Sequence, residues 1–139
     1  METRDLEEIL KKASVLEKDR VLSNIQEISF VDYINQLMID KNLEKSDIIR
    51  DSQIPRTYAY QIFQGSKQAG RDKVIQLAFA MKLDLDETNR FLTIAHHNHL
   101  YAKQQRDAII IFAISKGYDL MQTNELLDEF QHELLGDFN

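Results

Sequence analysis

The sequence predicts an all-α protein, and three observations carry that prediction. Glycine and proline together number five in 139 residues, too few for the tight turns of an all-β chain. Apolar residues recur at intervals of three and four along most of the length, the period of one helix face. Two signals, Asp84-x-x-Glu87 and Asp119-x-x-Gln122, stand where helices with reciprocal caps begin. Hydrophobic residues make up 43% of the chain, enough to build a core and too many for a disordered segment.

The elements follow in order. Residues 5–28 carry Leu6, Ile9, Leu10, Ala13 and Leu16, then Val21, Leu22, Ile25 and Ile28. This stretch is one long amphipathic helix or two short ones, serving either as a partner or dimer arm or as a helix laid across the domain's own core. Ser29 suits an N-cap with Asp32 in the first turn, and Val31, Ile34, Leu37 and Met38 form a stripe that ends near Asn42. A second helix is expected over about 45–52, with Ile48 and Ile49 facing in. After a short Gln53-Ile54 turn, Pro55 opens a third helix as its first residue, and Gly65 lies just past its end. Ala59, Ile62 and Phe63 at i, i+3 and i+4 face the core. Arg56, Thr57, Tyr60, Gln61 and Gln64 then point elsewhere. Tyr58 is expected to pack, whereas Tyr60 suits packing and surface contact equally.

The second half repeats itself. Residues 71–92 align with 106–127 without a gap, at an offset of 35 and with nine identities in 22 positions, Arg71-Asp72 and Arg106-Asp107 among them. Each copy reads as a helix, a break with a capping signal, and a second helix. A period near 35 is that of stacked helical hairpins. Two copies are too few for an independent array, so the second hairpin is expected to extend the core of the first. Leu126, Leu127, Phe130, Leu134 and Leu135 would be the apolar stripe of its final helix.

Net charge is −6, which argues against binding nucleic acid over the whole surface. The distribution is uneven. Residues 41–73 hold seven basic and four acidic side chains, while the flanking segments 1–40 and 74–139 are net negative. After Lys116 six carboxylates follow and no Lys or Arg. The positive third brackets the helix that begins at Pro55.

Other chemistries find no support. There is no cysteine, hence no disulfide and no thiolate metal site. His96-His97-Asn98-His99 cannot converge on one ion from one rigid helix, and these histidines are expected at a cap or in a loop. No nucleophile–base signature and no phosphate-cradling glycine loop is present. The expectation is therefore no enzyme, no cofactor and no metal. No apolar run reaches the length of a membrane span, and residues 1–8 lack a signal peptide's apolar segment; a cytoplasmic protein is expected.

Leu43, Ile48, Ile54, Ala59, Ile62 and Gly65, followed by Arg71-Asp-Lys-Val-Ile-Gln-Leu-Ala-Phe-Ala80, Leu83 and Leu85, carry a resemblance. From Phe30 to Ala95 the chain resembles the helix-turn-helix domain of the phage-repressor (XRE) family, in a subgroup of small bacterial regulators with extra helices at both ends. It departs from the family pattern at Ile49 and Gln53, where Ala and Gly are usual, and at Ser66–Gly70. Gln53 is expected to take a backbone that glycine ordinarily supplies.

The resemblance implies an N-terminal helical arm over 1–28, a DNA-binding domain over 29–95, and an added hairpin over 96–139 on the same core. It implies a sequence-specific transcriptional regulator that binds double-stranded DNA as a homodimer. Arg56, Thr57 and Gln61 would read bases, with Tyr60 at a sugar or a thymine methyl. Lys45, Gln64, Lys67 and Arg71 would hold phosphates. The alternative is an antitoxin-like or adaptor module on the same fold, with a protein partner on the arm or the acidic hairpin and weak DNA contact.

Overall fold

Helix ends in this chain fall where a specific residue meets a local backbone demand. The computed structural model describes residues 3–136; Met1, Glu2 and 137–139 of the expected arm and hairpin, Asp137 included, lie outside the described residues. Ser14 and Glu17 form a reciprocal cap, with Glu17 N donating to Ser14 Oγ at 3.2 Å and Ser14 N to Glu17 Oε1 at 3.3 Å. That cap splits the arm into α1 (Thr3–Lys12), a single 3₁₀ turn (Val15–Glu17) and α2 (Lys18–Ser23). None of the described arm residues is buried, so the arm does not cover the core.

Ser29 caps α3 (Phe30–Lys41), its Oγ accepting from Asp32 N at 3.1 Å, and Asn42 ends it with φ 55°. Then come α4 (Lys45–Ser52) and α5 (Arg56–Gln64), joined by Gln53, Ile54 and Pro55. Pro55 is extended (φ −51°, ψ 133°) and stands just before α5 rather than as its first residue. Gly65 closes α5 at φ 83°, where a Cβ would lie 3.2 Å from Val31 Cγ2. The remaining helices are α6 (Arg71–Ala80), α7 (Leu85–Ile94), α8 (Gln105–Ser115) and α9 (Leu120–Glu129). The protein is all-α, and the described residues contain no strand. One core runs from Ile34 through Ile48, Ile62, Leu77 and Phe91 to Ile110, Leu127 and Leu135. The final stripe is shorter than expected: α9 ends at Glu129, Phe130 is half exposed, and Leu134 and Leu135 belong to the tail after Gln131 turns with φ 63°.

The 35-residue repeat recurs in its capping and loop hydrogen bonds. Asp84 and Asp119 both form complete capping boxes. Thr88 and Thr123 hydroxyls donate to the carbonyls of Asp84 and Asp119. Asn89 Oδ1 accepts from Leu100 N at 2.8 Å, and Asn124 Oδ1 from Leu135 N at 2.8 Å. The identity thus extends in structure to residues 100 and 135, past the segment that aligns in sequence.

The two copies are not stacked by translation. Arg71 of the first grips Asp107 of the second (Nη1–Oδ1 3.0 Å, Nη2–Oδ2 2.8 Å). Arg106 of the second grips Asp72 of the first (2.9 Å twice). Correspondingly α6 packs on α9 and α7 on α8. Exchange of equivalent partners in both directions is the mark of a two-fold relation, here within one chain.

Candidate nucleic-acid interface

The α4–α5 turn is fixed from beneath. Ser52 is buried; its Oγ donates to Ile49 O at 2.8 Å and accepts from Ile54 N at 3.2 Å. Its carbonyl, left over at the end of α4, accepts from Gln76 Nε2 on α6 at 2.9 Å. Gln53 takes φ 60°, as expected, and its Nε2 donates to Arg50 O at 3.2 Å. Three residues therefore join two short helices, with the Ser52 carbonyl and the Gln53 and Ile54 amides all hydrogen-bonded.

The inner face of α5 is Ala59, Ile62 and Phe63, each at most 4% exposed. Ile49 of α4 is also buried, so the larger residue is accommodated in the core. On the outer side Arg56, Thr57 and Gln64 are exposed, while Tyr60 and Gln61 are half-buried. Tyr58 packs as expected, and its OH donates to Gln68 O at 3.3 Å. Lys67 is exposed in the loop that follows. An open groove between α4 and the start of α5 is lined by Ser46, Arg50, Gln53, Arg56 and Tyr60.

The seven cations of residues 41–73 fall into two sets. Lys41 pairs with Glu87 (3.0 Å), Arg50 with Asp47 and Asp51 (3.2 and 2.9 Å), and Arg71 with Asp107 (2.8 Å). Among the described residues, no carboxylate pairs with Lys45, Arg56, Lys67 or Lys73. Three of these lie over aromatic rings instead: Lys45 over Phe63 (5.3 Å), Arg56 over Tyr60 (5.6 Å) and Lys73 over Tyr58 (5.0 Å). A ring face orients a cation without neutralising it, so these groups keep their full charge for an outside anion.

Arg71 does not belong with them. It was expected to hold a phosphate, but its guanidinium is spent on Asp107 and on the carbonyls of Asn98 (3.0 Å) and His99 (3.2 Å). Burial pushes the Asp107 carboxyl up. Hydrogen bonds from Arg71 and Tyr101 N–H, with the charges of Arg71 and Arg106, outweigh it and hold the group below its usual range. Gln76, whose amide at 2% exposure interrupts the apolar run Val74-Ile75-x-Leu77-Ala78, supports the turn, a role that no motif in the sequence assigns to it. A lone polar residue inside such a run was the available signal.

The histidines are structural neighbours of loops. His96 turns at φ 65°, His97 Nε2 meets Ala69 O at 2.9 Å, and its repeat partner His132 meets Gln105 Oε1 at 2.7 Å. Among the described residues, no three His, Asp or Glu side chains converge as a metal site would require, and no helix is long and apolar enough to cross a membrane. No family model, no curated protein and no solved structure matches the chain.

Proposed function

We propose that the protein is a sequence-specific DNA-binding transcriptional regulator of the phage-repressor type, with α5 as the helix that enters the major groove. The observation that carries this reading is the outer side of α5. Arg56, Thr57 and Gln64 stand exposed there, Gln61 beside them, with Lys45 and Lys67 at the margins paired with no carboxylate among the described residues. Arg56 hydrogen-bonds a guanine edge through its fork, and Thr57 and Gln61 contact neighbouring bases. Lys45, Gln64 and Lys67 hold phosphates and set the register. Tyr60, under Arg56, fixes the direction of the guanidinium. One such helix covers half a site, so two copies bind together.

The test is a gel shift with duplex DNA from upstream of the protein's own gene, at low and at physiological salt. Arg56→Ala is expected to weaken the specific complex by roughly 5- to 150-fold, the equivalent of losing one bidentate base contact. Lys67→Ala is expected to weaken all sequences alike and to lower the salt slope by about 1. Retention indifferent to Arg56 would overturn the assignment of α5.

A second reading is favoured by the arm, none of whose described residues is buried, and by the acidic half after Lys116. In it the chain is an antitoxin-like or adaptor module that binds another protein and touches DNA weakly. Absence of any retention at low salt would select it.

A further inference from the structure

The arm is an amphipathic unit whose apolar side is left open, with none of its described residues buried. Leu6, Ile9, Val21 and Ile25 line an open groove between α1 and α2, and Leu10 and Leu22 beside it are 39% and 57% exposed. Helices of ten and six residues do not hold themselves up in water; they need a covering surface.

The charges on α1 say what covers it. At 100° per residue, Leu6, Ile9, Leu10 and Ala13 share one stripe. Asp5 and Lys12 are seven residues apart and flank that stripe on the same edge. A second α1 laid antiparallel across a two-fold axis brings Asp5 of each copy opposite Lys12 of the other. A parallel partner would set this edge against the opposite edge of the other stripe, where Asp5 and Lys12 do not meet. Among the described residues Lys12 pairs with Glu8, one turn back, at 3.3 Å, and both side chains are largely exposed, so the contact holds it weakly.

We infer that the arm is a homodimerisation element: the α1–α2 hairpins of two copies pair about a two-fold axis, α1 antiparallel to α1, each filling the groove of the other. The pairing is isologous, so it closes at two copies. The inference does not depend on DNA reading, since the arm would dimerise in the absence of DNA.

The test is sedimentation of the full-length chain without DNA across a range of concentrations, at low salt. The wild type is expected at twice the chain mass. Ile9→Glu is expected to give a monomer with unchanged helix content in the rest of the protein. Asp5→Lys and Lys12→Asp each set like charges together twice per dimer and are expected to raise the dissociation constant about tenfold or more. The double variant D5K/K12D reverses both members of the pair and is expected to restore the wild-type value. A monomeric wild type would overturn the inference. So would a dimer indifferent to Ile9→Glu, or single charge reversals that weaken the dimer with no recovery in the double variant.

Discussion

Truncating Arg71 and truncating Arg106 should have unequal costs, although the two occupy equivalent places in the repeat. Asp107 is 4% exposed in its side chain and receives three hydrogen bonds, two from Arg71 and one from Tyr101 N at 2.9 Å. Arg71→Ala leaves that carboxylate buried with one donor, and removing one member of a buried pair costs about 3–5 kcal/mol. Asp72 is 40% exposed and can rehydrate when Arg106 is cut back. The loss there is that of a surface pair, up to about 1 kcal/mol, plus about 1 kcal/mol for the bond from Arg106 Nε to Glu133 O at 3.1 Å. Urea unfolding at one fixed protein concentration measures both. The Arg71 pair also carries a pH signature. The folded carboxyl of Asp107 titrates below its usual range, so its stabilisation is complete above the unfolded value near pH ~4 and is lost as pH falls through the folded value. Equal costs for the two truncations, or an Arg71→Ala deficit that persists unchanged into acid, would refute the reasoning.

Gln53→Gly should leave Tm nearly unchanged. Relief of the left-handed backbone at φ 60° is worth about 1–2 kcal/mol, and it is offset by the greater freedom of glycine in the unfolded chain, about 0.5–1 kcal/mol, and by loss of the Nε2 bond to Arg50 O, about 0.5–1 kcal/mol. Gly65→Ala should lose about 1–2 kcal/mol in the same assay, because φ 83° is strained for any Cβ and Val31 Cγ2 stands 3.2 Å away. Gln76→Leu should lose about 1–3 kcal/mol by leaving the Ser52 carbonyl without its donor, while the volume in the core stays nearly the same. If α5 reads DNA as proposed, the affinity of this variant for DNA should fall as well, since the turn before α5 is loosened.

Features written in contiguous residues were legible in the sequence. Ser29 as a cap, Gly65 as a stop, the strained backbone at Gln53 and both Asp-led capping boxes are demands met within four residues of where they arise. Ser14-x-x-Glu17 is the same kind of signal and would have placed the break in the arm. The outward set Arg56, Thr57 and Gln64 also followed from period alone, because three buried positions on a helix fix the rest. What was not legible depends on residues far apart. Arg71 reads as one more cation of the positive third, and only the fold sets Asp107 against it. The repeat was plain in the sequence, but identical letters do not distinguish translation from rotation. The Leu134-Leu135 pair keeps an apolar pattern that a helix would also produce, and the turn at Gln131 is marked by no glycine or proline.

The crossed arginines bear on how the molecule comes apart. Arg71 Nε holds the carbonyl of Asn98 and Arg106 Nε that of Glu133, so each tail is fastened by its own hairpin's arginine. Each of those arginines is in turn kept in place by the opposite hairpin's aspartate. Neither tail can fray without loosening the clasp that secures the other. Residues 71–135 should therefore open as one cooperative unit, with the amides of Leu100 and Leu135 exchanging with solvent at matching rates despite lying 35 residues apart. A chain cut near residue 104 would lose Asp107 and Leu127 together, and with them the footing of the helix that supports the α4–α5 turn through Gln76.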